Sequence, residues 1–573
     1  MKHPTRMISI LVLAAALVGA TGCTATKEQT QAEPAAFGFT ASAGQPALFS
    51  STIDTTPYLI SVSSLSNPQT YYDAQDLVDE TGFTEVAINL EEPVSENSEV
   101  FITRSEEGYL TITNEGTNLY NYVLSGTLIG TVTITSDAAT YAITFKNASI
   151  TGTTLPALQL KSSTKAFINL AQGTQNIISD SSDNEKKGVL TAEGDVIIHG
   201  EGSLEVVANK KHALKIDGTL RIQSGTISIT TNEASEGNGI SVDEAFIMDD
   251  GSLTIEANGS VYQEEGKGIR VNGIESESGE KGYLVVNGGT IGITSVGKAM
   301  TAGWDKDEDA ETEDTRDDPT PNLIINNGVI TLRTTGKPYE ISDEASLSPE
   351  GLEAKQSLII NGGLIQVSTT DDALNAGTSI QIHGGLIMAH SSQADAVDSN
   401  GTIAITAGTL VALGSRAPET ALDCDANQNF SYTGGTVVAI GGAANNTPLA
   451  QDTTGNVLTY GGKLAAGTSF VLADAQENTI IAYAVPAYYE QGAALLLCSD
   501  ELTQGKEVTL SVGGELKAST TFNGLALGKA TYTGGTSEAI TLSASVTHLG
   551  EELRSMGFGP NPPHGFEPPV FQQ

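Results

Sequence analysis

Cysteine is nearly absent from this chain: 573 residues hold three, at Cys23, Cys424 and Cys498. That scarcity excludes a disulfide framework, so stability must come from an extensive core. Tryptophan occurs once, at Trp304, and the seven histidines are scattered, with no Cys-x-x-Cys pair and no Gly-rich phosphate loop opening a helix. Positive charge is scarce as well. The 28 Lys and Arg stand against 69 Asp and Glu, a net charge of −41, which repels nucleic acid and anionic lipid surfaces. Such an acidic surface suits cation capture, a neutral substrate, or plain solubility, and by itself decides nothing.

What is abundant is glycine, 62 of them, together with Thr, Ile and Val, a composition that favours strands. The glycines mark a repeat: LRIQSGTISI, FIMDDGSLTI, LVVNGGTIGI, LIINNGVITL, LIINGGLIQV, IQIHGGLIMA, IAITAGTLVA and FSYTGGTVVA set two short alternating runs around Gly225, Gly251, Gly289, Gly328, Gly363, Gly385, Gly408 and Gly435. A looser copy centres on Gly202. The shortest steps, 22 and 23 residues, suit one coil of three strands and three bends, and steps of 35 to 39 add a looped-out segment. Period-two alternation turns one set of side chains inward and glycine supplies the bend. Two places before it, Asn287, Asn326 and Asn361 read as a ladder of amides bonded along the stack. The expected fold is all-β: a right-handed parallel β-helix, or solenoid, with a small C-terminal β module.

Stacking the coils aligns a second motif. Glu350-Gly-Leu-Glu353, Asp372-Ala-Leu-Asn375, Asp395-Ala-Val-Asp398 and Thr420-Ala-Leu-Asp423 share one frame. Leu352, Leu374, Val397 and Leu422 then point inward, while Glu353, Asn375, Asp398 and Asp423 point out. Glu350, Asp372 and Asp395, with Asp371 alongside, form a parallel acidic column at the preceding bend. Carboxylates repeated at about 4.8 Å repel unless a cation lies between them. Calcium, which takes six to eight oxygens, fits between coils, so Glu350, Glu353, Asp371, Asp372, Asn375, Asp395, Asp398 and Asp423 are the candidate Ca2+ ligands. Upstream the same columns turn basic: His212, Asn238, Lys267 and Lys298 in one, Lys215, Ser241, Arg270 and Thr301 in the other. Lys267, Arg270 and Lys298 are candidate contacts to a sugar acid polymer. Trp304, which precedes the acidic loop DKDEDAETEDTRDD, is a candidate plate for a pyranose ring.

The division of the chain follows from these patterns. Lys2 and Arg6, the apolar run Ile8 to Val18 and the exit Ala20-Thr21-Gly22-Cys23 read as a signal peptide over residues 1–23, too short to span a bilayer. Its ending resembles a bacterial lipobox, which implies lipidation of Cys23 and a place on the extracellular side of the envelope, with the membrane touched through that anchor alone. Residues 24–95 are a tether and cap, 96–447 the repeat domain and 448–548 the C-terminal module, marked by SFVLADA, TIIAYAV and EVTLSVGG. Residues 549–573 are a Gly/Pro-rich tail expected to be disordered. The chain is expected to act as a monomer.

With TYAITFKNASIT, GNGI, KGIRVNG, EGLEAK, TDDALNA and ADAVDSNG in order, residues 100 to 445 resemble a bacterial family of cellulose- and pectin-binding β-helix proteins, similar in structure to the pectate lyases of polysaccharide lyase family 9. The resemblance implies calcium held through Asp371, Asp372, Asn375, Asp395 and Asp398, and a partner such as pectin or cellulose. In the related lyases a lysine beside the metal takes the C5 proton of a uronate. Here no lysine lies between Lys355 and Lys463, so Lys355 is the candidate base, with Arg416 the alternative. That shortage ranks calcium-dependent polysaccharide binding without catalysis first. A calcium-stiffened structural adhesin and a pectate-type lyase follow.

Overall fold

The computed structural model describes residues 49–553 apart from 63–67, 77–81, 94–96, 260–265, 274, 277–278, 281, 304–321, 341–345, 425–429, 448–453 and 455. Cys23 and the leader, Trp304 with its acidic loop, and the tail from residue 554 lie outside the described residues. Among those described, the helical elements are three 3-10 turns, Thr56–Tyr58, Pro68–Thr70 and Ala74–Asp76. The rest of the regular structure is strand, as the β-branched composition requires.

Two sheets, one of 26 strands and one of 13, carry the repeats. The chain alternates between them. Leu352–Ala354 lies in the smaller sheet, Ser357–Ile360 and Leu364–Thr369 in the larger, and Leu374–Ala376 again in the smaller. Each strand pairs in parallel with its equivalent one repeat on. Leu352, Leu374, Val397 and Leu422 stand in one register, and Leu358, Ile380, Ile403 and Phe430 in another. All eight side chains are buried, so the inward column read from the alternation is the core.

The eight glycines that mark the repeat all adopt positive φ, between 78° and 113°. A side chain there would also meet backbone: a Cβ on Gly385 would lie 3.1 Å from the carbonyl carbon of Gly362, one repeat earlier. The looser copy differs. Gly202 is in register with Gly225, yet the left-handed bend falls at Gly200, with φ 105°. Beside these bends the asparagine ladder is continuous. Asn361 donates to Asn326 Oδ1 and Asn326 to Asn287 Oδ1, each at 2.8 Å, and Asn287 donates to Asp249 Oδ1 at 2.9 Å. The ladder ends on buried Arg221, which grips Asp249 through two nitrogens at 2.7 and 3.0 Å.

Residues 49–62 and 68–76, which carry no repeat signal, lie as a strap along this ladder. Ser51 bridges Phe522 of the C-terminal module, and Ser51 Oγ donates to Gln366 at 3.3 Å. Further along, the Val62 amide donates to Asn287 O and Asn327 Nδ2 to Ile60 O. The carbonyls of Gln69 and Thr70 accept from Asn326 and Asn287, Tyr71 stacks on Tyr283 at 4.0 Å, and Asp76 pairs with Arg221 and Lys165. The strap runs from the C-terminal module back towards the first strands, then enters the larger sheet at Thr84–Asn89.

At the other end Thr436–Gly441 pairs antiparallel with Gln491–Ser499, which stops the parallel stacking. The expected C-terminal strands Ser469–Asp474, Thr479–Ala484 and Glu507–Val512 form an antiparallel sheet with Thr536–Thr541.

Gly385→Ala tests the bend column. It imposes a left-handed conformation on an L side chain and presses on Gly362, so it should destabilise by more than about 1 kcal/mol. A thermal melt checks this; an unchanged Tm would mean the bend tolerates a side chain.

Candidate functional site

The smaller sheet positions the charged columns. Its three-residue strands bury their first and third residues, so the middle one faces away from the core. Register therefore stacks Lys215, Ser241, Arg270, Thr301, Glu353, Asn375, Asp398 and Asp423 in one file, in the order read from the sequence. In the bend file beside it, His212, Asn238, Asp372 and Asp395 cap the stack, because each side chain accepts from a backbone amide of the next repeat, and Asn445 accepts from the repeat before it. His212 Nδ1 takes the Asn238 N–H at 2.9 Å, Asn238 Oδ1 that of Lys267 at 2.9 Å and Asp372 Oδ1 that of Asp395 at 3.0 Å. Asp395 Oδ1 takes the Thr420 N–H at 2.5 Å, and Asn445 Oδ1 takes those of Ala421 and Leu422.

The candidate ligands fall into two groups of opposite electrostatic character. Glu350 and Glu353, both buried, are satisfied by cations: the Lys298 ammonium pairs with Glu350 and lies 3.1 Å from Glu353 Oε1, and Lys355 Nζ lies 2.5 Å from the same oxygen. Thr301 Oγ1 donates to Glu353 Oε2. Burial alone would drive Glu353 up, but the two ammoniums hold it well below the usual carboxylate range. Burial lifts Glu350 against the pull of Lys298. Lys298 is in turn held above its ordinary value by the carboxylates, which outweigh its own desolvation.

The second group has no such partner. Among the described residues Asp372, Asp395, Asp398 and Asp423 make no ion pair. One carboxylate oxygen from each of Asp395, Asp398 and Asp423 lies within 4.8 Å of the others. Burial, then the negative charges of Asp398 and Glu350, push Asp372 up to about 9. Burial and neighbouring acids likewise lift Asp395 to about 7 and Asp398 to about 6 and raise Asp371, and burial raises Asp423. Asn375 stands between the groups, its Nδ2 donating to Glu350 Oε1 at 3.1 Å and Asp372 Oδ2 at 3.2 Å. Such a cluster is stable only with protons or a cation among its oxygens.

The structure thus brings Asp372, Asn375, Asp395, Asp398 and Asp423 together and assigns Glu350 and Glu353 to Lys298. Lys298, expected to meet substrate, lies beneath those glutamates with its side chain 14% exposed. Lys267 is buried and Arg270 half-buried. The exposed guanidinium of Arg416 pairs with Glu490. Glu419 was missed: its carboxyl is raised by burial and by Asp423 and Asp371. It precedes Thr420 as Asp371 precedes Asp372, so the frame held the signal.

Residues 106–396 match a family described as carbohydrate-binding domain-containing protein. The chain belongs to that family. A solved structure, a polysaccharide lyase-like protein from C. thermocellum in a gadolinium derivative, is similar over 48% of this chain and 96% of its own, at 21% identity and a TM-score of 0.36. No curated protein matches the sequence.

The raised carboxyls fix a pH dependence for chelator-treated protein. Their folded values exceed the unfolded value of about 3.9, so the folded chain holds protons that the unfolded chain has released. Stability should therefore fall as pH rises from 5 to 9, through the values of Asp398, Asp395 and Asp372. Asp372→Asn should flatten that fall. Thermal melts across the range check it, and a Tm that climbs with pH would contradict it.

Proposed function

We propose that this protein is a calcium-dependent carbohydrate-binding protein that recognises an acidic or plant cell-wall polysaccharide, pectin-like or cellulosic. Its coils are read as a right-handed parallel β-helix, the hand that parallel crossovers nearly always take. Lipidation of Cys23 would hold it as a monomer on the extracellular side of a bacterial envelope. The observation that carries the reading is the trio Asp395, Asp398 and Asp423, converging within 4.8 Å and partly buried. Asp372, Asn375, Asp371 and Glu419 add oxygens around it. An all-oxygen set rich in carboxylates, on separate repeats, suits a large hard cation better than magnesium, which demands near-ideal octahedral geometry. Calcium there would neutralise the file and offer open coordination positions to uronate carboxylates. Family membership supports carbohydrate as the partner.

Binding ranks above lyase chemistry because Lys355, the one lysine in register for a base, is engaged by Glu353 at 2.5 Å. The experiment is calorimetric titration of calcium into wild type, Asp395→Ala and Asp398→Ala, followed by retention on polygalacturonate and cellulose with and without chelator. Wild type should bind calcium with a Kd on the order of micromolar, each variant should lose at least about tenfold (about 1.4 kcal/mol), and retention should disappear with chelator. No saturable calcium binding would sink the site. Calcium binding without retention on any polysaccharide would favour the adhesin, and release of unsaturated uronides would restore the lyase.

A further inference from the structure

Glu350 and Glu353 occupy the same two positions of the frame as Asp395 and Asp398: the bend and the outward residue of one repeat. The two pairs differ in what faces them. Lys298, from the bend of the preceding repeat, places its ammonium between both glutamates, in contact with Glu350 and 3.1 Å from Glu353 Oε1. Asn375 closes the far side of Glu350, and Thr301 and Lys355 complete the surroundings of Glu353. The bend position that precedes Asp395 and Asp398 is instead Asp372, another acid. One pair therefore has a tethered cation and the other has none from its own file.

We propose that Lys298 is a built-in counterion that takes the place of a divalent cation on the Glu350–Glu353 repeat, and so sets the upstream limit of the cation-binding file. The inference rests on the calcium reading above. With two ammoniums against two carboxylates that repeat is neutral, and a calcium ion entering it would meet Lys298 at close range. Removing the Lys298 charge leaves two buried carboxylates against the single ammonium of Lys355, whose side chain is 50% exposed, with the Thr301 hydroxyl beside Glu353 and the Asn375 amide, its Nδ2 turned to Glu350, beside the other. Carboxylate, hydroxyl and amide oxygens are donors of the kind calcium takes. Lys298 is thus a specificity-determining residue: it decides how many repeats load metal.

The test is calcium titration by calorimetry on wild type, Lys298→Ala, Lys298→Gln and Lys298→Arg, with thermal melts in chelator and in calcium. The expected result is one additional calcium per chain in Lys298→Ala and Lys298→Gln, a lower Tm than wild type in chelator, and a larger upward shift on adding calcium. Lys298→Arg keeps the charge and should keep the wild-type stoichiometry. Lys298→Gln retains a donor against Glu350, so it decides the matter if Lys298→Ala does not fold. Unchanged stoichiometry and an unchanged calcium shift in the neutral variants, with wild type still binding, would overturn the role of Lys298 and leave the calcium reading intact. A wild type that binds nothing while a neutral variant gains an ion would do the reverse.

Discussion

Parallel stacking in register forces like residues on top of one another at one strand spacing, about 4.8 Å. For Leu352, Leu374, Val397 and Leu422 this is favourable, since each covers the next. For a polar or charged column it is a problem each repeat must solve, because identical carboxylates at that distance repel and partial burial magnifies the repulsion. The protein uses three solutions. The asparagine column pairs amide N–H with amide oxygen and ends on the Asp249–Arg221 pair. The bend column makes His212, Asn238, Asp372 and Asp395 acceptors for an amide of the next repeat. The repeat at Glu350 and Glu353 borrows an ammonium. Asp398 and Asp423 stand outside all three, and Asp395 beside them is satisfied only in part, by the Thr420 N–H.

Much of this was legible before any coordinate. The registering glycines needed no inference beyond spacing, because a bend at positive φ next to a close backbone leaves little choice of residue. The outward column was legible too, since period-two alternation fixes which of Leu374 and Asn375 faces the core. What was not legible, the pairing of Lys298 with Glu350 and Glu353, has one cause. Lys298 was read as a substrate contact and Glu350 and Glu353 as ligands because sequence shows a column but not the direction a long side chain takes. Residues 304–345 separate Lys298 from its partners in the chain, although one strand spacing separates them in the fold. The strap escaped for a different reason. Its hold on the fold comes largely from side-chain bonds to backbone carbonyls, such as Asn326 to Gln69, and these leave no period.

The strap also joins the two ends of the chain. Ser50 bonds Asn523 across 473 residues of sequence, while Asp76 sits against Lys165 near the start of the stack. Strand pairing within the repeats is between neighbours, of the kind that forms as each new repeat is added. The upper half of the strap cannot follow that order. Its seats at Phe522 and Asn523 do not exist until most of the last third of the polypeptide has been made. Ser50, Ser51 and Thr52, early in synthesis, have no partner in the C-terminal module until those residues follow. Their contacts to Phe522 and Asn523 can exist only with the C-terminal module in place.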